Sequence, residues 1–203
     1  MKQVKDMQEV LGILHYLVGN GNRILVMDGD VQRRNRILNK VTEYIGQKRK
    51  VVAIGWEKVM PKVDGIEKVV CEGADGRELR EQKLAGLERR EDNAFVLCQT
   101  FFLDGGFAQV IRYLARGKQG ILGCNAYASV DIGLSSLVAQ YRRSGRRDGI
   151  ECEVEEAKDT VGKAFDYVVY VRANGKVGVY GLTGDGLEVK ELDLRRGVYI
   201  DFE

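Results

Sequence analysis

The chain has 203 residues, of which 44% are hydrophobic and 31% are charged, with a formal net charge of +2. This length is enough for one sizeable core, and the composition is ordinary for a soluble globular protein. No apolar run approaches the roughly 20 residues that span a bilayer, and the N-terminal segment lacks the cleavage site of a signal peptide. We therefore expect a cytoplasmic protein with no membrane partner, and leave the nucleus open as a second location.

The first elements of the chain predict helix, strand, turn, helix and strand. Apolar residues at helical spacing predict a packed N-terminal helix over residues 4–18. A buried strand (23–27), a sharp turn at Asp28-Gly29, an amphipathic helix (31–44) and a second strand (50–55) follow. This order is typical of a phosphate-binding unit.

The residues that would bind phosphate are missing from this unit. In an active nucleotide-binding protein of this layout, a glycine is followed after four residues by Gly-Lys-Ser/Thr. Counting from Gly29, those three places hold Arg34, Asn35 and Arg36. Without the loop glycine the backbone cannot easily form the nest that cradles phosphates, and the lysine and the magnesium-holding hydroxyl are absent.

The strand predicted over residues 94–100 also lacks the acidic residue that would hold magnesium. The first acid after it, Asp104, falls in a turn before Gly105-Gly106, where aspartate is a common turn residue. Two independent absences predict that the chain binds no nucleotide and is not an ATPase. A kinase with atypical phosphate binding would have to use the arginines near residue 34 in place of the lysine.

The second half of the chain continues the alternation of strands and helices. The predicted elements are a short strand (65–71), a charged helix (77–90), a helix from Phe107 to Gly117, a buried strand (120–124), a helix through Tyr141, an acidic stretch (151–156), and strands at 166–171, 176–182, 187–192 and 199–202. Asn174-Gly175 predicts a hairpin. The pattern indicates one domain over 1–203, with an α/β sheet covered by helices and antiparallel strands over about 166–202.

Other catalytic and metal chemistries find no support in the sequence. His15 is the only histidine and lies in the N-terminal helix, and no base stands near Cys98. Cys98 and Cys124 fall in apolar stretches and are expected to be buried thiols. The four cysteines lack the paired spacing of zinc sites. We therefore predict no catalytic residues, no metal and no cofactor.

One basic cluster is a candidate RNA-binding site. Arg142, Arg143, Arg146 and Arg147 surround a glycine just after a predicted helix. Cations also suit the C-terminal end of a helix, so a solvated helix end is the favoured interpretation of the cluster. As a functional site, it would be a mobile basic loop that neutralises RNA phosphates.

The chain resembles the RecA-like accessory subunits of Elongator, which lack ATPase motifs. The resemblance is carried by LGILHYLVGNGNRILVMDGD and the helix and strand after it, by AFVLCQTFF and QGILGCNA, and by the hairpin DYVVYVRANGKVGVYGL. It implies a RecA-like three-layer fold with a degenerate P-loop. It further implies a non-catalytic scaffold subunit, partnered by paralogous RecA-like chains and transfer RNA, in a complex that supports wobble uridine modification. Subunits four and six are the most similar.

Two other resemblances remain open. The segment QTFF followed by ARGKQGILGCNAYA is similar to cellular thymidine kinases, but Leu97 and Cys98 replace their two acidic residues. That resemblance implies a degenerate kinase without catalysis. The third possibility is a RecA-like accessory protein of DNA recombination.

Overall fold

The computed structural model describes residues 2–70, 77–87, 89–99, 106–183 and 188–191. The helices in this part of the chain are α1 (Lys2–Gly19), α2 (Val31–Gly46), α3 (Arg77–Leu87), α4 (Phe107–Ala115), α5 (Val130–Arg147) and α6 (Val154–Ala164). The strands are β1 (Ile24–Asp28), β2 (Val51–Gly55), β3 (Glu67–Val70), β4 (Phe95–Cys98), β5 (Gly120–Cys124), β6 (Tyr167–Val171), β7 (Val177–Thr183) and β8 (Glu188–Glu191). A short 3-10 helix, Glu57–Val59, follows β2.

These strands form one sheet in the order β3-β2-β4-β5-β1-β6-β7-β8. The strands from β3 to β6 are parallel to one another, whereas β7 and β8 are antiparallel to their neighbours. The predicted α/β fold, with a mostly parallel central sheet and C-terminal antiparallel strands, is confirmed. The predicted strand at 199–202 lies outside the described residues.

Helices cover both faces of the sheet, which gives three layers. The helices α1 and α2 pack on one face with Ile24 and Val26, and α3 to α6 pack on the other face with Leu25 and Met27. Side chains alternate between the faces of a strand, so a strand covered on both faces must be apolar throughout. The unbroken apolar runs in the sequence follow from this, because β1, β2, β4 and β5 are buried along their whole length.

The helix α1 covers the predicted helix over 4–18 and extends slightly beyond it at both ends. Its buried stripe consists of Val10, Leu14, Leu17 and Val18, which belong to the same core cluster as the buried face of α2. None of the described helices is both long enough and apolar enough to cross a membrane.

Arg23 fastens the amino end of the central strands. Its backbone N–H and its Nε donate to the carboxylate of Asp166, at 2.7 and 3.0 Å. Its Nη1 donates to the carbonyl oxygens of Leu114 in α4 and Lys163 in α6, at 3.2 and 2.6 Å. One side chain therefore ties the ends of two helices to the beginning of β1 and β6.

The helix α6 is an element that the sequence analysis did not predict. The charge pattern predicts only an acidic stretch, because Glu153, Glu155 and Glu156 dominate it. The structure continues the chain as a helix whose Ala157, Val161 and Ala164 are buried in the core. Two small alanines on the buried face make the apolar stripe too weak to be recognised beside so many carboxylates.

Candidate functional site

The strand order creates a crevice above the carboxyl ends of β1 and β5. These strands are neighbours, but α2 after β1 packs on one face of the sheet and α5 after β5 packs on the other. The two connections therefore diverge, and in open parallel sheets ligands bind at such a switch point. The turn at residues 28–30 and the segment that begins at Asn125 border this crevice.

In the turn after β1, the chain's own carboxylates accept the hydrogen bonds of nearby backbone N–H groups. Asp28 has no exposed surface, and its Oδ1 accepts from the Asp30 backbone N–H at 2.8 Å. Arg33 donates to both oxygens of Asp28 at 2.7 Å. Asp30 caps α2 by accepting from the Arg33 backbone N–H at 3.0 Å, and this hydrogen bond lowers the pKa of Asp30. Negative charge therefore already occupies the helix end where a phosphate would bind.

Arg34 closes the crevice itself. Its side chain is only 4% exposed, and its Nη1 donates to the Asp28 carbonyl at 3.2 Å and to Asn125 Oδ1 at 2.8 Å. The Arg34 side chain fits against β5 because residue 123 is glycine. A Cβ at that position would lie 3.0 Å from Arg34 Cδ and 2.6 Å from Leu38 Cδ1. Burial lowers the pKa of the Arg34 guanidinium, which nonetheless stays charged.

An amide occupies the end of β4, where an ATPase would hold magnesium. Gln99 is 1% exposed, and its Nε2 donates to Asn39 Oδ1 at 2.5 Å and to the Val59 carbonyl at 2.9 Å. A Cβ at Gly55 would lie 2.9 Å from Gln99 Oε1, so a side chain at residue 55 would displace this amide. The acid considered for magnesium, Asp104, lies outside the described residues.

The predicted basic loop is wrong in its secondary structure. The helix α5 continues through all four arginines to Arg147, and Gly145 is buried inside it. Glycine is required there because a Cβ would lie 2.9 Å from the Ile150 carbonyl oxygen. The glycine therefore permits close packing of the chain that leaves α5, and does not make a hinge.

The helical geometry also divides the four arginines into two pairs. Arg142 and Arg146 line a groove of about 450 Å³ together with Glu151, Glu153 and Glu156. Arg142 Nε also donates to the Cys152 carbonyl at 3.2 Å. Arg143 and Arg147 are not among the residues that line the groove, and both are exposed, as Arg146 also is. Glutamates therefore line the same groove as Arg142 and Arg146, whereas Arg143 and Arg147 lie outside that groove.

The remaining candidates are packed side chains. His15 stacks on Tyr44, with ring centroids 4.4 Å apart, and burial followed by the nearby Lys48 lowers its pKa. Cys98 and Cys124 are buried thiols, as predicted, and burial raises the pKa of the Cys124 thiol to about 12. Among the residues that the structure describes, no three metal-binding side chains form a group.

Comparisons with known proteins bear on the fold alone. No protein-family model and no curated protein matches the chain. A solved structure that does match is the VirB11 ATPase of the Brucella suis type IV secretion system, in complex with sulphate. The TM-score is 0.63 at 14% identity, over 94% of this chain and 52% of that one. This chain thus has a RecA-like fold and spans about half the length of its structural neighbour.

The sequence shows that the usual phosphate-binding residues are absent, but it does not show which contacts take their place. The sequence indicates Arg34 only as the residue that replaces the usual glycine. Its partner Asn125 lies 91 residues further along the chain, so no local spacing indicates the contact. The only available signal was the buried context of Gly123, which leaves room for a large side chain from α2.

Proposed function

We propose that this chain is a non-catalytic RecA-like subunit of a multiprotein assembly. The observation that carries the proposal is the bridge from Arg34 to the Asp28 carbonyl and Asn125, which fills the crevice where RecA-like ATPases bind phosphate. Phosphoryl transfer depends almost entirely on positioned charges around the phosphates. The charges positioned here are paired within the chain, since Arg33 holds the buried carboxylate of Asp28.

The absence of ATPase activity is directly testable. We expect the purified chain to hydrolyse no ATP above background at millimolar Mg-ATP. Magnesium-dependent turnover that disappears in Asp104→Asn would contradict the proposal, because it would identify a working metal ligand. An Asp64→Asn variant is the matched control, since this acid is exposed and follows a different strand.

Two kinds of assembly are proposed, each on its own observation. The sequence resemblance favours an Elongator-type complex, in which paralogous RecA-like chains and transfer RNA are the partners and the location is cytoplasmic or nuclear. The structural match over 94% of the chain favours an assembly built around an ATPase of the VirB11 kind, with this chain as an inactive relative.

The partners decide between the two assemblies. We expect tagged chain, purified from its native cells under mild conditions, to retain other RecA-like chains in a fixed ratio. Mass spectrometry of those chains identifies either Elongator subunits or a secretion ATPase. A monomer by light scattering that retains no RecA-like chain would contradict the scaffold role.

A further inference from the structure

A second space at the carboxyl edge of the sheet is open. A cavity of about 700 Å³ lies between the beginning of α5 and the turn that follows β6, with β7 and β8 on its far side. This volume is typical of small-molecule pockets. The described residues whose chemistry defines it are Ser129, Asp131, Tyr170, Arg172, Asn174 and Tyr180. Neither Arg34 nor Asn125 lines it, so it is distinct from the closed crevice.

Two tyrosines form the aromatic part of the cavity, and both are held in place. The Tyr170 hydroxyl donates to the Tyr127 carbonyl at 2.5 Å. The Tyr180 side chain lies over Gly178, where a Cβ would be 2.8 Å from the ring atom Cε2. Both tyrosines are half-buried. Aromatic rings fixed in this way provide the surface on which a nucleobase stacks.

Opposite charges lie on two different walls of the cavity. Arg172 is exposed on the turn after β6, and its Nη2 donates to the Tyr180 hydroxyl at 3.4 Å. A guanidinium binds phosphate through paired N–H groups. Asp131 is exposed in the first turn of α5. A carboxylate repels phosphate but accepts hydrogen bonds from ribose hydroxyls, as acidic residues do in dinucleotide-binding folds.

We propose that this cavity binds a nucleoside monophosphate unit, either a free nucleotide or one nucleotide of a single-stranded nucleic acid. The base stacks on Tyr170 and Tyr180, the ribose hydroxyls donate to Asp131, and the phosphate binds Arg172. The unit needs no magnesium and no P-loop. The inference is independent of the scaffold role, because no residue of the closed crevice takes part.

Calorimetric titration of the full chain with AMP, UMP and a short oligouridylate, all without magnesium, tests the proposal. We expect saturable binding that Tyr180→Leu weakens about tenfold and Tyr180→Phe preserves, because the stack needs only the ring. Arg172→Gln should weaken binding and reduce its salt dependence. Lys176→Gln removes an exposed cation from the same hairpin outside the cavity, and should leave the affinity unchanged.

The probes also separate the two sources of the ligand. Binding of a mononucleotide identifies a free nucleotide, and binding of the oligouridylate alone identifies a nucleic acid; either result supports the site. Failure of all three probes to bind overturns it, as does equal weakening by Lys176→Gln and Arg172→Gln. ATP hydrolysis would contradict the scaffold role without affecting this assignment.

Discussion

Arg33 and Asp28 are joined by two parallel hydrogen bonds of 2.7 Å, from Nε and Nη2 of the guanidinium to the two oxygens of a carboxylate with no exposed surface. The pair lies at the turn where a RecA-like ATPase would receive the phosphates of its nucleotide. A buried carboxylate depends on its charged partner, because water cannot reach the carboxylate to take the partner's place. The pair therefore stabilises the turn, and through it the fold.

Removing Arg33 should be costly. We expect Arg33→Met to lower the free energy of unfolding by about 3 kcal/mol, the usual cost of leaving a buried charge uncompensated. The double variant Asp28→Asn with Arg33→Met should recover part of this loss, because no charge is then left behind. Urea unfolding measures both. Arg36→Met is the matched control: Arg36 is exposed three residues further on, and its loss should change stability by less than about 0.5 kcal/mol. Equal losses at 33 and 36 would contradict the role given to the pair.

Gly123 should not tolerate a methyl group. We expect Gly123→Ala to destabilise the protein by about 1–3 kcal/mol, because the new Cβ would lie 2.6 Å from Leu38 and 3.0 Å from Arg34. Gly12→Ala is the control, since nothing lies within 4 Å of a Cβ in that helix and alanine favours helix by about 0.5–1 kcal/mol. The melting temperature should therefore fall in Gly123→Ala and rise in Gly12→Ala. A neutral Gly123→Ala would mean that Arg34 moves aside easily and that the crevice can open.

Stability should fall in mild acid because of His15. Burial and Lys48 lower the pKa of His15 below its ordinary value of 6.5, so the unfolded chain binds the proton first. The contribution of neutral His15 is fully present above that unfolded pKa and is lost as the pH falls from it towards the folded pKa. We expect the melting temperature to decrease between pH 7.5 and 5.5, at pH values still above the range in which carboxylates titrate. His15→Phe keeps a ring against Tyr44 and should remove this decrease; an unchanged pH profile in that variant would place its origin elsewhere.

The two arginine pairs of α5 should behave differently towards RNA. On the proposed Elongator-type role, Arg143→Gln with Arg147→Gln should weaken transfer RNA binding by the assembled complex and flatten its salt dependence, because phosphate contacts release counterions. Arg142→Gln with Arg146→Gln removes the same charge from the groove lined by glutamates, and should affect RNA binding less. Filter binding at low and high salt compares the two variants. Identical effects, or none, would show that Arg143 and Arg147 are not the RNA contact.

The fold was largely predictable because its central strands carry their own signal. A strand covered on both faces must be a short apolar run, and residues 24–27 and 120–124 are such runs in any context. The helix α6 was not predictable, because alanine contributes little to an apolar stripe. The site was predictable only as an absence: the sequence lacks Gly-Lys-Ser/Thr after Gly29. That Arg34 would bridge to Asn125 depends on β5 lying beside β1, a tertiary relationship that no local pattern contains.

Gly145 illustrates the opposite error. A glycine among arginines is read as flexible because glycine lowers helix propensity. In the structure, this glycine instead allows close packing, since the Ile150 carbonyl oxygen leaves no space for a side chain at that point of α5. The same residue type can serve either purpose, and only the neighbouring backbone decides between them.

The strand order has a consequence for how the chain is made. The strand β1 is synthesised first but pairs with β5 and β6, whose partners for Ile24 are Ile121 and Tyr167. Until the ribosome has released those later strands, both edges of β1 are open, and unpaired apolar edges favour aggregation. A nascent chain arrested before β5 should therefore remain protease-sensitive and bind general chaperones. The centre of the sheet can close only after β6 has been synthesised.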